Sequence, residues 1–133
     1  MEILGGCLCG ETRFTLTTEP FDVGNCHCID CRRGSAAAFV TWGSVRTSAL
    51  KITSGEVRKV PVAGRVRSFA SCCCTPLFFE DTPGTEVIDL TIASLDNPRD
   101  FPPMKDIWTE DKLPWVQLDP LLPSFAKSSK KKT

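Results

Sequence analysis

The chain has 133 residues, the usual size of one domain and long enough to bury a core without disulfide staples. Apolar residues make up 41% of it and charged residues 24%, a balance too hydrophobic for a disordered chain. Sixteen basic residues offset sixteen acidic ones, so net charge favours neither nucleic acid nor a membrane surface, and nucleic-acid binding is not expected.

Met1 to Gly10 lacks the basic and apolar regions of a secretory leader, and no apolar run is long enough to span a bilayer. The expected address is cytoplasmic, with no membrane partner. Eight cysteines in a reducing compartment should stay unpaired, which makes metal binding the leading explanation for them. They fall in three clusters: Cys7 and Cys9; Cys26, Cys28 and Cys31; Cys72, Cys73 and Cys74.

In chain order, GGCLCG at the start reads as strand, where residues two apart face one side, so Cys7 and Cys9 can aim both sulfurs at one ion. Arg13 to Thr18 alternates polar residues with Phe14 and Leu16 and predicts a strand. Asp30 to Ala38 is one of two briefly helical stretches; the other is a turn near Asn97 to Asp100. Ala38 to Trp42, Leu50 to Thr53, Val57 to Val60, Leu77 to Glu80 and Val87 to Ile92 predict further short strands between Gly, Pro, Ser and Asp punctuation. The expected fold is therefore mainly β, with antiparallel sheets and little helix. Prolines 102, 103, 114, 120 and 123 make the C-terminal third extended, with Trp108, Leu113 and Trp115 supplying apolar area to dock it. A folded unit over 1–123 and a flexible lysine-rich tail over 124–133 are expected.

The middle cluster, Cys26-His27-Cys28-Ile29-Asp30-Cys31, supplies three thiolates in one loop. Structural zinc takes four protein ligands, whereas catalytic zinc keeps three and a position for water or substrate, so this loop points to an open metal. Three thiolates leave the site electron-rich, suited to binding a thiol more than to making hydroxide. Arg32 and Arg33 follow directly and are candidates for binding an anion, with two solvated arginines as the alternative. His27 lies between two ligands, so its ring should point away from the metal and serve as a solvent-facing or outer imidazole.

These motifs resemble the glutathione-dependent formaldehyde-activating enzyme family, which includes the centromere protein V group and shares the Mss4-like β fold. The matching stretches are GGCLCGETRF, CHCIDCRRGSAAAFVTW, ITSGE, TPLFF, IASLDNP and IWTEDKLPW, in that order along nearly the whole chain. The resemblance implies two zinc sites, with Cys7 and Cys9 in a structural one and Cys26, Cys28 and Cys31 in a catalytic one. It also implies formation of S-hydroxymethylglutathione from glutathione and formaldehyde, a carbon–sulfur lyase reaction written in reverse, with glutathione the first partner to try. The alternatives are a lyase or dehydratase acting on another small molecule, or a non-catalytic zinc scaffold for a protein partner. The sequence carries no signal of oligomeric state.

Two positions differ from the family pattern. Its structural site is completed by CxxCG before Thr-Pro-Leu, where this chain has Ala70-Ser71-Cys72-Cys73-Cys74. Cys73 matches the second cysteine and is favoured as a ligand, with Cys72 or Cys74 in place of the one missing at Ala70; two CxC pairs, with Cys72 and Cys74, form the competing scheme. Asp106 stands before Ile107-Trp108, where the family often has histidine.

Overall fold

The computed structural model describes residues 2–129. It contains ten strands in two sheets and one α-helix among the described residues. A three-stranded antiparallel sheet is formed by β1 (Ile3–Gly6), β2 (Arg13–Leu16) and β5 (Leu50–Ser54), in the order β1-β2-β5. The larger sheet uses β3 (Phe21–Cys26), β4 (Val40–Arg46), β6 (Val57–Val62), β7 (Arg65–Ala70), β8 (Pro76–Glu80), β9 (Val87–Thr91) and β10 (Asp106–Ile107). Its order is β10-β3-β4-β9-β8-β7-β6. One pair departs from the antiparallel expectation: β10 runs parallel to β3, which makes the sheet mixed.

Alternation along these strands sorts side chains between two faces. Val45, Phe78 and Leu90 point inward and are almost fully buried, packing against Phe14 and Leu16 of the small sheet. Phe14 and Phe78 meet edge-on at 5.2 Å, the aromatic centre of this core. The opposite face carries one cross-strand row, Arg67 beside Phe79, Phe79 beside Asp89 and Asp89 beside Ser44. This row forms the floor of the cavity described below.

The helix α1 (Ile29–Ser35) is shorter than the stretch from Asp30 to Ala38 suggested. It starts where the Cys28 side chain accepts from the Cys31 amide and ends where Ala36 turns left-handed at φ 50°. The turn expected near Asn97 is a 3-10 turn at Pro98–Asp100. The strands β1, β3, β7 and β10 were not anticipated: Phe21–Cys26 and Arg65–Ala70 lack a strong apolar alternation, and the short flanking strands gain order from their neighbours.

Two expectations about the C-terminal segment change. Trp115 is 70% exposed and does not dock, whereas Trp108 packs against the cluster around Cys26 and Cys31. Residues 124–129 are not a loose tail, because Ser124 bridges Asp106 and the segment satisfies the backbone of β10 and the turn after it. The Phe125 amide donates to the Asp106 carbonyl at 2.9 Å, and the Trp108 amide to that of Lys127 at 3.1 Å. Residues 130–133 lie outside the described residues. No helix among the described residues is long and apolar enough to cross a membrane.

Candidate functional site

Seven of the eight cysteines converge into two groups, and all eight thiols are free. The first group joins Cys7, Cys9, Cys72 and Cys73. Cys7 and Cys9 lie not in a strand but in a turn after β1, where the Gly10 amide donates to the Cys7 carbonyl at 3.1 Å. Gly10 adopts φ 84°, which lets the turn close. A tetrahedron with metal–sulfur bonds of about 2.3 Å has sulfur–sulfur edges of about 3.8 Å. Here Cys7 and Cys9 are 3.7 Å apart, Cys7 and Cys72 3.6 Å, Cys9 and Cys72 3.3 Å, and Cys72 and Cys73 3.9 Å.

The chain around this group favours the thiolate at Cys7 and Cys73, whereas at Cys9 the Glu11 backbone bond that lowers the thiol is outweighed by Cys72 and burial, which push it up to about 12. The buried Thr12 amide donates to Cys7 Sγ at 3.3 Å. The Thr75 hydroxyl, 3.3 Å from Cys73 Sγ, together with the Cys9 backbone, lowers the Cys73 thiol to about 6. Ala70 is fully buried in the core and offers no donor, so Cys72 supplies the sulfur on this side. Cys74 stays out of the group and adopts φ 65°, in the left-handed region that glycine adopts most easily.

The second group is Cys26, Cys28 and Cys31. Cys26 ends β3, Cys28 caps α1 and Cys31 sits in its first turn, so a strand end and a helix start hold the three sulfurs together. Hydrogen bonds from the Cys26 and then the Cys31 thiol lower Cys28 to about 2, and the interaction with Cys28 pushes Cys26 up. The Trp42 indole donates to Cys31 Sγ at 3.3 Å and fixes that sulfur from the sheet side. No fourth His, Cys, Asp or Glu among the described residues joins this group.

Behind the loop, His27 is fully buried and its ring N–H donates to the Asp106 carboxylate at 2.8 Å, while the ring packs on Phe39 at 5.0 Å. Its ring therefore leaves the sulfurs, as strand geometry required, but turns into the protein and not to solvent. Asp106 also accepts from Asn25 Nδ2 at 3.2 Å, and Thr41 donates to Asn25 Oδ1 at 2.7 Å. The histidine–aspartate pair was not read from sequence, because 79 residues separate its members.

In front of the loop lies a cavity of about 490 Å³, within the range of small-molecule sites. Cys26, Cys28 and Cys31 line it together with Trp42, Phe79 and Trp108. Trp108 is held at φ 56°, a strained conformation for a bulky residue, and its backbone bond to Lys127 fixes it there. Arg32 and Arg33 are not among the lining residues, since α1 carries them beyond the wall that Cys28, Ile29, Asp30 and Cys31 form. The arginines that do line it, Arg65 and Arg67, come from β7. Their i, i+2 spacing on a strand was the signal available in the sequence.

A mainly β protein with two cysteine groups able to hold metal ions, one of them opening on a cavity, is the class that this fold and site define. The chain belongs to the glutathione-dependent formaldehyde-activating enzyme family, whose model matches residues 2–111. A crystal structure of a Rhodobacter sphaeroides protein is similar in fold, with a TM-score of 0.58 and 23% identity over 73% of this chain and 93% of that one. No curated protein is significantly similar to the chain in sequence.

Proposed function

We propose that the chain is a zinc-dependent enzyme of the carbon–sulfur lyase type that acts on a thiol adduct such as S-hydroxymethylglutathione. The observation that carries this reading is the placement of Cys26, Cys28 and Cys31 in the wall of the cavity as a three-thiol group. Family membership supplies glutathione and formaldehyde as the first substrates to test. Addition of a thiol S–H across an aldehyde C=O forms one carbon–sulfur bond and moves one proton from sulfur to oxygen; the reverse step is the lyase direction. No oxidant or reductant is needed.

The residues fit zinc, because soft thiolates within 4.8 Å of one another suit this ion. Cys26, Cys28 and Cys31 would hold the catalytic ion, and Cys7, Cys9, Cys72 and Cys73 a structural one. Zinc bound by three thiolates supplies a thiol-seeking, weakly Lewis-acidic position. The chain's own contribution is orientation: the Trp42 indole and the Cys31 amide fix the sulfurs, and Trp42, Phe79 and Trp108 give the cavity apolar surface. The eight free thiols support a cytoplasmic setting.

Metal analysis and glutathione–formaldehyde kinetics on wild type and Cys28→Ser test the proposal. Formation of the adduct by wild type, with loss of about one zinc and of activity in the variant, is expected from a three-ligand catalytic site. Equal rates in the two proteins would overturn it.

A further inference from the structure

Of the three cations lining the cavity among the described residues, two are paired with acids of its own wall, while Asp30, Asp89 and Asp111 add further carboxylates. Arg65 donates to Asp81 at 2.9 Å, and the Lys105 ammonium is held by Asp22 and Ser129. Arg67 differs: its guanidinium lies 5.0 Å over the Phe79 ring and has no ion-pair partner among the described residues. A guanidinium on an aromatic face keeps its N–H edges available for an anion, and its fork matches a carboxylate.

Its position is built by a second residue. A Cβ on Gly34 of α1 would come within 2.7 Å of Arg67 Nη1 and 3.0 Å of Cζ. Gly34 is not in the left-handed region, so its place in a seven-residue helix is explained by space and not by backbone conformation. Glycine weakens a helix relative to alanine. The guanidinium is thereby seated between α1 and the Phe79 ring, on the same row of the sheet that floors the cavity.

From this arrangement we infer that Arg67, positioned by Gly34, is the anion subsite of the cavity, and that the thiol substrate carries a carboxylate which it binds. The inference rests on the reading of Cys26, Cys28 and Cys31 as the thiol-binding end of the same cavity. Sulfur is held at one end and the carboxylate at the other, so the substrate is oriented by two unlike groups.

The test uses the zinc-loaded full chain and a matched pair of thiols, 3-mercaptopropionate and 3-mercaptopropionamide, titrated by calorimetry. Wild type should prefer the carboxylate by about ten-fold, the worth of one charge-assisted hydrogen bond. Arg67→Met should erase the preference. Gly34→Ala, which keeps the charge but displaces the guanidinium, should reduce it while the melting temperature holds or rises. Undiminished preference in Arg67→Met, or no preference or no binding in wild type, overturns the inference. Cys28→Ser separates it from the lyase reading. Thiol affinity that survives Cys28→Ser while the carboxylate preference still follows Arg67 sinks the lyase reading and leaves the subsite standing. Thiol affinity lost in Cys28→Ser with a preference indifferent to Arg67 sinks the subsite alone.

Discussion

The imidazole of His27 donates to the carboxylate of Asp106 across 2.8 Å, and both side chains are buried. This contact ties the loop between Cys26 and Cys28 to β10, the strand that the C-terminal segment covers. Asp106→Ala removes the acceptor and leaves a buried ring N–H without a partner. The expected loss is about 1–3 kcal/mol in urea denaturation, with Asp106→Asn costing less because its amide oxygen still accepts. The loop should also bind zinc more weakly, read by chelator competition. Unchanged stability and zinc affinity in Asp106→Ala would show that the pair is idle.

Separate serine replacements in the third cysteine cluster should divide two to one. Cys72→Ser and Cys73→Ser lower bound zinc and melting temperature, because both sulfurs lie in the four-thiol group. Cys74→Ser leaves both unchanged. Cys74→Gly should raise the melting temperature, since glycine adopts φ 65° without the steric cost of about 1–2 kcal/mol that a side chain brings. Zinc loss in Cys74→Ser would contradict this ligand set.

The two metal groups should be separable. They come from different elements, the first from turns flanking β1 and β7 and the second from the end of β3 and α1. Cys28→Ser is therefore expected to bind about one zinc in place of about two, with near-native far-ultraviolet circular dichroism, because the four-thiol site remains complete. Collapse of the whole β spectrum in this variant would count against two independent sites.

Arg13 and Asp96 form a two-armed ion pair at 3.0 and 2.5 Å that links β2 to the turn after β9. The hydrogen bond from Arg13 holds the Asp96 carboxyl below its ordinary value of 3.8. A depressed carboxylate stabilises the fold above its unfolded value, and that contribution disappears as pH falls through the folded value. Both side chains are more than a third exposed or close to it, at 34% and 41%, so the effect is limited to about 0.2–1 kcal/mol. Asp96→Asn should thus be less stable than wild type at pH 7, with the gap narrowing in urea titrations as pH falls through the depressed carboxyl value. A stability gap that does not narrow as pH falls below the ordinary carboxyl value of 3.8 would assign it to something other than the ion pair.

Much of the chemistry was legible in the linear chain. Phe14, Leu16, Ile88 and Leu90 alternate with polar neighbours and announce a β core, because period two is a local property. Cys26, Cys28 and Cys31 are close in sequence, so their grouping needed only one strand end and one helical turn. Contacts that depend on register could not be read this way. Cys72 reaches Cys9 across 63 positions, and Asp106 reaches His27 across 79, through pairings that no local pattern encodes. Arg67 and Arg32 look equivalent as sequence, two arginines near cysteine motifs. Only the packing of α1 on the sheet places Arg67 in the cavity and Arg32 outside its wall, because a side chain's surroundings are set by which strands become neighbours.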